Sequence, residues 1–366
     1  MEKTKWKKRD LAAPVLFLAA LLLQFLARRS AAFAQGYRTT IYRFLVETLG
    51  RLTSCLPFSL VEIGLYLFLS ATVCGLVWLV WRLIRHKEKW RQTLMQAVRI
   101  VLFTVAALFF AYTVGCGINY HSRAFSAEAG FVTNPSSREE LAGLCRALTE
   151  EINAAALQVQ TDAEGCLLLQ NDYKETARQA MDALGEIYPC LAGFYPQPKG
   201  LLVSRILSVQ KIEGIYSPFT LEANYNQEMP DVNIPVTMCH ELSHLRGFMR
   251  EDEANFIAYL ACRESKDPQF VYSGAILAFI HSGNALYADG GQEEYWEIYD
   301  SLCDTAKRDL SRDSAFWRQF DGKVAEVSSQ VNDAYLKANR QEDGVKSYGR
   351  MVDLLLAMYR QEGQWE

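Results

Sequence analysis

Three uncharged and mainly apolar runs lie in the N-terminal third of the chain, at residues 11–27, 63–81 and 100–119. An α-helix rises about 1.5 Å per residue, so the second and third runs can cross a hydrocarbon core of about 30 Å, and the first nearly can. Uncharged runs of this length are typical of membrane spans. The pattern predicts three transmembrane helices within a membrane domain over residues 1–119.

The first run also has features of a secretory signal peptide. It follows the basic segment KTKWKKR and precedes AAFAQ, whose small residues suit cleavage after Ala34. Arg28 and Arg29 lie between the run and that position, where a signal peptide is normally neutral. The basic flank and the two further runs favour a retained anchor, and cleavage after Ala34 is the alternative.

Basic residues beside the predicted spans indicate the topology, because Lys and Arg close to a span resist translocation. They concentrate in KTKWKKR before the first span and in RLIRHKEKWR between the second and third spans. The loop at residues 28–60 is longer and partly amphipathic, as expected for a segment on the outer surface. We therefore expect a multi-pass cell-membrane protein with a cytoplasmic N-terminus and an extracytoplasmic domain after about Tyr120.

The rest of the chain predicts a mainly helical domain over residues 137–366. Residues 120–136 lack periodicity and are interpreted as a linker. A capping pattern at Ser137 and Glu140 starts a helix that runs to about Ala155, and another helix starts near Asp172. Further helices are predicted at residues 234–246, 251–264, 268–287, 292–309, 312–339 and 346–361.

Residues 199–226 have a different pattern from these helices. β-Branched and aromatic residues are frequent there and are interrupted by Gly214 and Pro218, so two or three strands are expected. Three membrane helices followed by a helical domain with a small sheet place the chain in the α+β class.

Charge and cysteine content narrow the possible partners. The formal net charge is −4, and no basic stripe lies outside the membrane flanks, so nucleic acid is not an expected partner. The nine cysteines include no CxxC pair and do not specify a disulfide framework. The oligomeric state is open.

The segment VTMCHELSHLRGFMREDEANFIAYLAC, at residues 236–262, carries the strongest chemical signal. On a helix, His240 and His244 lie one turn apart on one face and can direct two imidazole nitrogens at one metal ion. Glu241 is rotated by about 100° from His240, beside the position of a metal-bound water. Zinc would lower the pKa of that water toward about 7, and Glu241 would act as the general base of a hydrolysis.

The third metal ligand has two candidates. Gly247 permits a sharp turn after His244, and the following helix carries acids at residues 251–253. Glu251 and Asn255 share a helix face, so Glu251 suits the metal while Asn255 orients a ligand. Glu253 lies on a different face and is the alternative.

An ordinary polar helix face is the competing interpretation, because a bare His-Glu-x-x-His occurs by chance. A strand-like segment before the motif, a glycine turn and an acid-bearing helix after it favour zinc, in a chain with only five histidines. Cys239 points sideways from this face and is expected to be a buried small residue. Tyr348 and His281 are weaker candidates for an oxyanion donor, and GIYSPFTLEANYN for an edge strand that pairs with an extended peptide.

The strings HELSH and EDEANFIAYL resemble the glutamate zincins, whose third ligand is a Glu on a following helix in a Glu-x-x-x-Asp/Asn setting. The wider pattern, from GIYSPFTLEANYN to GVKSYGRMVDLLL behind three spans, resembles domain of unknown function 3810, a family of uncharacterised bacterial membrane proteins. The resemblance covers most of the chain and implies a zincin-like peptidase domain. Two departures leave the third ligand open: only six residues separate His244 from Glu251, and Arg250 stands where other zincins have a third histidine.

These patterns predict a membrane-anchored zinc metallopeptidase acting on a peptide or protein substrate. His240, His244 and Glu251 would bind Zn²⁺, and Glu241 would be catalytic. The alternative is a sensor or assembly protein that keeps the zinc fold for binding without turnover. Because a purely structural metal site does not need Glu241, that residue favours the enzyme.

The topology can be tested with a reporter that is active only outside the cytoplasm. Fused to the C-terminus of the full chain, the reporter should be active, because the basic flanks keep the N-terminus and the loop between the second and third spans in the cytoplasm. In inverted membrane vesicles the C-terminal domain should resist added protease. Its digestion there would reverse the assignment.

Overall fold

The computed structural model describes residues 11–170, 172–339 and 350–363. Three described helices are long and apolar enough to cross a membrane, which confirms the number of predicted spans: α1 (Ala12–Arg29), α5 (Leu60–Arg85) and α6 (Trp90–Tyr112). The third of these continues through a π-helical turn, Thr113–Gly117, and a 3₁₀ turn, Asn119–His121. Which side of the membrane each end faces stays a prediction.

Residues 31–54, between the first and second spans, form a juxtamembrane segment that is helical throughout. It comprises α2 (Ala31–Tyr37), α3 (Arg43–Leu45) and α4 (Arg51–Ser54), joined by π-helical stretches at Arg38–Tyr42 and Val46–Gly50. Ile41, Phe44 and Leu52 are exposed, whereas Tyr42 and Val46 are buried against the rest of the protein. The segment is amphipathic, as expected, but its inner face is part of the protein core.

The helical domain contains the remaining described elements. Its sheet consists of β1 (Lys199–Gly200), β2 (Gly214–Ser217) and β3 (Glu222–Tyr225) in the order β1-β3-β2, with β1 parallel and β2 antiparallel to β3. Its helices are α7 (Phe125–Ala129), α8 (Arg138–Ala156), α9 (Tyr173–Ile187), α10 (Arg205–Ser208), α11 (Ile234–His244), α12 (Glu251–Glu264), α13 (Pro268–Ala288), α14 (Gln292–Asp300), α15 (Asp304–Arg318), α16 (Lys323–Ala338) and α17 (Arg350–Gln361). The prediction of a mainly helical domain with a small sheet is confirmed.

The centre of this domain is formed by α11, α12 and α13. Along α11 and α12 nearly every side chain is buried, so these helices have no solvent face and show weak amphipathic periodicity. Helices α8, α9 and α17 pack around them. The segment that carries the candidate ligands therefore lies in the core.

Several sequence predictions differ from the structure. The helices predicted at 292–309 and 312–339 are wrong in their boundaries, because the chain turns near Leu302 and again at Gly322, where φ is +154°. The strand-rich region also contains the short helix α10. Residues 120–136, predicted as a linker, include α7, whose Phe125 is fully buried among aromatic rings. This stretch packs into the domain.

Carboxylates connect the second span to the sheet in both directions. Glu222 on β3 accepts hydrogen bonds from the backbone N–H groups of Leu60 and Val61, at 3.1 and 3.0 Å. In return, Glu62 on the first turn of α5 accepts from the N–H groups of residues 202 and 203, at 2.9 and 2.8 Å. A carboxylate at a helix N-terminus satisfies free N–H groups and complements the helix dipole. The span and the domain are therefore joined as a unit.

Replacing Glu222 by Gln should destabilise the folded protein. The Glu222 carboxylate lies 2.5 Å from the ammonium of Lys199, and both side chains are buried, so the variant leaves a buried cation without its counter-charge. We expect a loss of about 3 kcal/mol or more in the free energy of unfolding, measured on the solubilised full chain.

A double variant, Lys199→Met with Glu222→Gln, removes both charges and should recover part of this loss. Glu228→Gln, at a more exposed residue 3.8 Å from Arg205, is the matched control and should have a small effect. Equal stability of Glu222→Gln and the wild type would contradict the coupling.

Candidate metal centre

A tight turn joins the two helices of the candidate site. Helix α11 begins with Pro235 in its first turn and ends at His244. Gly247 follows with φ of +82°, a conformation that glycine adopts without strain, and its N–H donates to the carbonyl of His244 at 2.9 Å. A Cβ at this position would also lie 2.6 Å from Cγ of Arg38. The turn reverses the chain, so that α12 starts beside the end of α11.

This reversal brings Glu251 to the two histidines. Nε2 of His240 lies 3.2 Å from Oε2 of Glu251, and Nε2 of His244 lies 4.0 Å from Oε1 of Glu251. One ligand atom from each of the three residues lies within 4.8 Å of the others. Ligands at about 2.1 Å from a tetrahedral ion are about 3.4 Å apart, so a small movement would fit these residues to zinc.

Hydrogen bonds hold both imidazole rings in the orientation that a metal requires. Nδ1 of His240 lies 2.7 Å from Oδ1 of Asn255, and Nδ1 of His244 lies 2.7 Å from the carbonyl of Phe248. Because these oxygens only accept, each Nδ1 carries a proton, which leaves Nε2 of each ring as the nitrogen that can bind a metal once it is deprotonated. The predicted contact of Asn255 with a candidate ligand is confirmed. The role of the Phe248 carbonyl depends on the turn and has no signal in the sequence.

Burial and mutual charge shift the titration of the three groups. Burial lowers the pKa of His240, but the hydrogen bond and charge of Glu251 outweigh it and raise that pKa to about 9. Burial and the His240 charge lower the pKa of His244 to about 4. Burial raises the pKa of Glu251, but His240 keeps it below its usual value. A metal ion must displace the proton on His240, so metal affinity will fall at low pH.

Glu241 lies beside these ligands without belonging to them. Its carboxylate is buried, and among the described residues its Oε2 has no hydrogen-bond partner. Burial raises the pKa of Glu241 to about 8. The side chain packs against β2, where a Cβ at Gly214 would lie 2.5 Å from Oε1 of Glu241. A buried carboxylate with one unpaired oxygen and a raised pKa can accept and return a proton.

The other two acids of the cluster face away from the histidines. Glu253 accepts from the N–H and hydroxyl of Ser126, both at 3.3 Å, and lies 3.7 Å from Arg250. Asp252 lies 3.2 Å from Arg350 at the start of α17. The geometry therefore brings Glu251 to the site and gives Glu253 a structural contact with α7.

Of the two candidates for an oxyanion donor, His281 and Tyr348, the structure describes only His281. His281 on α13 is half-buried, and burial together with the charge of His240 lowers its pKa to about 4, so it is neutral and close to the site. Tyr348 lies outside the described residues. Cys239 is fully buried, as predicted.

Two tyrosines near the site were not anticipated from the sequence. The hydroxyl of Tyr42 donates to the carbonyl of His244 at 2.8 Å. The hydroxyl of Tyr216 lies 2.9 Å from the hydroxyl of Tyr42. Tyr120, beyond the third span, lies close enough to Glu251 to feel its charge. Tyr42 and Tyr120 lie more than a hundred residues from the motif, so only the fold brings them to it.

The family described as "Protein of unknown function (DUF3810)" matches residues 37–356. The chain belongs to this family. The match includes most of the juxtamembrane segment, both later spans, α11 and α12, so the family extends over membrane and domain parts alike. Neither the curated proteins nor the solved structures include a match to this chain.

Replacing Glu251 by Gln should strongly reduce zinc binding by the purified full chain, because a neutral amide oxygen replaces an anionic ligand beside the two histidines. The matched control is Glu253→Gln, two residues along the same helix, which should keep close to one zinc per chain. Metal analysis after removal of unbound zinc measures both. Retention in the first variant with loss in the second would transfer the ligand role to Glu253.

Proposed function

We propose that this protein is a membrane-anchored, zinc-dependent peptidase. His240, His244 and Glu251 would hold the ion, and Glu241 would be the general base. The observation that carries the proposal is the buried carboxylate of Glu241, whose Oε2 has no partner among the described residues, beside three convergent ligand atoms. A site built only to stabilise the fold does not need this fourth group, and leaving one of its oxygens unpaired costs free energy.

The chain's own residues supply the proton transfers. When bound, zinc would act as a Lewis acid that polarises a carbonyl group and makes water more acidic. Glu241 would take a proton from the attacking water and return it to the leaving amine. Burial favours the protonated form of Glu241, which suits a group that must hold a proton between these two steps. His281, a neutral ring that interacts with the charge of His240, would be the candidate donor to the developing oxyanion.

An extended peptide is the substrate class that the surroundings of Glu241 favour. Strand β2 lies at the edge of the described sheet, with β3 on its other side. Its first residue, Gly214, contacts Glu241, and its next, Ile215, is exposed. A peptide that adds to this edge would pass the general base with its backbone held by strand pairing.

The limited exposure of the ligands favours a second candidate function. His240 and Glu251 are only partly exposed and His244 is buried, so a substrate has narrow access. A protein that senses metal or binds a partner through this fold would need no wider opening. Turnover distinguishes the two functions.

Glu241→Gln separates the enzyme from the binding protein. The variant keeps the three ligands and should retain zinc, but it lacks the base, so hydrolysis of a peptide library should fall about 100-fold or more. Glu253→Gln, which removes a buried carboxylate of the same helix pair, should retain cleavage. Both are compared with the zinc-loaded wild-type full chain, and zinc content is measured on every sample. If the wild type cleaves no peptide, or Glu241→Gln cleaves equally well, the binding function is the better conclusion.

A further inference from the structure

A second charged site lies beside the turn that follows α11. A cavity of about 80 Å³ is lined by Arg38, Arg43 and Arg246, with Glu128 as its one acidic side chain. The lining residues therefore carry a net charge of two positive. Arg38 and Arg43 come from the juxtamembrane segment and Arg246 from the turn, so the cavity lies where these two parts of the chain meet.

Arg246 is a buried cation that contacts no carboxylate among the described residues. Its side chain is 6% exposed, and among the described residues no carboxylate oxygen lies within 4.0 Å of it. It donates to the carbonyls of Phe194 and Ala192, at 2.6 and 3.4 Å, and its guanidinium lies 4.9 Å from the ring centre of Tyr195. Its Nε has no hydrogen-bond partner. Neutral acceptors satisfy part of its donor capacity but leave its charge uncompensated.

Arg38 is a second buried arginine with an unpaired Nε among the described residues. It is 3% exposed, pairs with Glu128, donates to the carbonyl of Arg246 at 3.4 Å, and lies over the ring of Phe248 at 4.2 Å. Glu128 therefore forms an ion pair with Arg38 and, in the part of the chain that the structure describes, leaves the guanidinium group of Arg246 without one.

Two nearby acids do not neutralise Arg246 by contact. Glu47 feels the charge of Arg246, but its carboxylate lies 3.1 Å from Arg51 and accepts from the N–H of Phe194. Asp182 also feels that charge and lies 3.2 Å from Arg178. Each has another basic partner, so the cavity keeps its positive potential.

We infer that this cavity binds a phosphate-type oxyanion between Arg38 and Arg246. Guanidinium groups recognise phosphate oxygens through charge-assisted, often paired hydrogen bonds, and a cavity lined by three guanidinium groups and one carboxylate suits this chemistry. One water needs about 10–15 Å³ of such space, so 80 Å³ accommodates a group of phosphate size.

The anion has two possible sources. Tyr37, next to Arg38, donates to the carbonyl of Val114 at the end of the third span, at 2.7 Å. The cavity therefore lies beside the C-terminal part of the third apolar helix, so a membrane crossed by that helix would present lipid phosphates nearby. Free phosphate and the headgroup of an anionic phospholipid present the same oxygens.

The test uses delipidated full-length protein in neutral detergent at constant ionic strength. Thermal unfolding is followed while inorganic phosphate, short-chain phosphatidylglycerol or short-chain phosphatidylcholine is added. We expect phosphate or phosphatidylglycerol to raise the unfolding temperature in a saturable way, and phosphatidylcholine to have little effect. A response to phosphate identifies a free oxyanion site, and a response to phosphatidylglycerol alone identifies a lipid site.

Arg246→Gln should weaken the apparent affinity at least ten-fold. Arg246→Lys keeps the charge but not the paired donors and should give an intermediate affinity, which also covers the case in which the Gln variant does not fold. Arg138→Gln, at an exposed arginine beside Asp289, is the matched control and should respond as the wild type does. The inference is overturned if the wild type responds to neither anion, or if both Arg246 variants respond as it does.

Discussion

The sharp turn between α11 and α12 is the constraint on which the candidate centre depends. Gly247 adopts a positive φ that returns the chain at once, so that Glu251 reaches the histidines seven residues after His244. The same turn places the Phe248 carbonyl on Nδ1 of His244. A side chain at residue 247 would be strained and would collide with Arg38. The approach of Glu251 to the histidines, the orientation of the His244 ring and the contact with Arg38 thus all depend on one glycine.

Burial raises the free-energy cost of any unpaired charge among the candidate ligands. The imidazoles of His240 and His244 and the carboxylates of Glu241 and Glu251 lie within a densely packed region of the domain. An unpaired charge in such a region costs on the order of several kcal/mol of stability. Asn255, the Phe248 carbonyl and mutual pairing satisfy His240, His244 and Glu251. Glu241 alone keeps an unpaired oxygen. The unpaired oxygen of Glu241 lies where a hydrolytic mechanism would need a base. The position of this carboxylate therefore supports the proposed enzyme more strongly than the sequence motif does.

The membrane part contributes to the domain instead of only tethering it. Tyr42 donates to the carbonyl that ends α11, and Glu222 holds the N–H groups that begin the second span. Arg38 packs on Phe248 beside the turn. Direct contacts therefore join the juxtamembrane segment and the second span to the domain that carries the candidate centre, and the isolated domain would lose packing along its core.

The sequence by itself determined what depends on local spacing: three apolar runs, the capping pattern at Ser137, and two histidines four residues apart on a helix. These follow because helix geometry relates near neighbours directly. Only the tertiary structure brought Glu251, and not Glu253, close to the two histidines, because the path of the turn decides which face of α12 meets α11. It also divided the helices predicted beyond residue 292 and brought Tyr42 and Arg38 to the site. Contacts between residues far apart in the chain arise from packing of whole elements, and no local pattern encodes them.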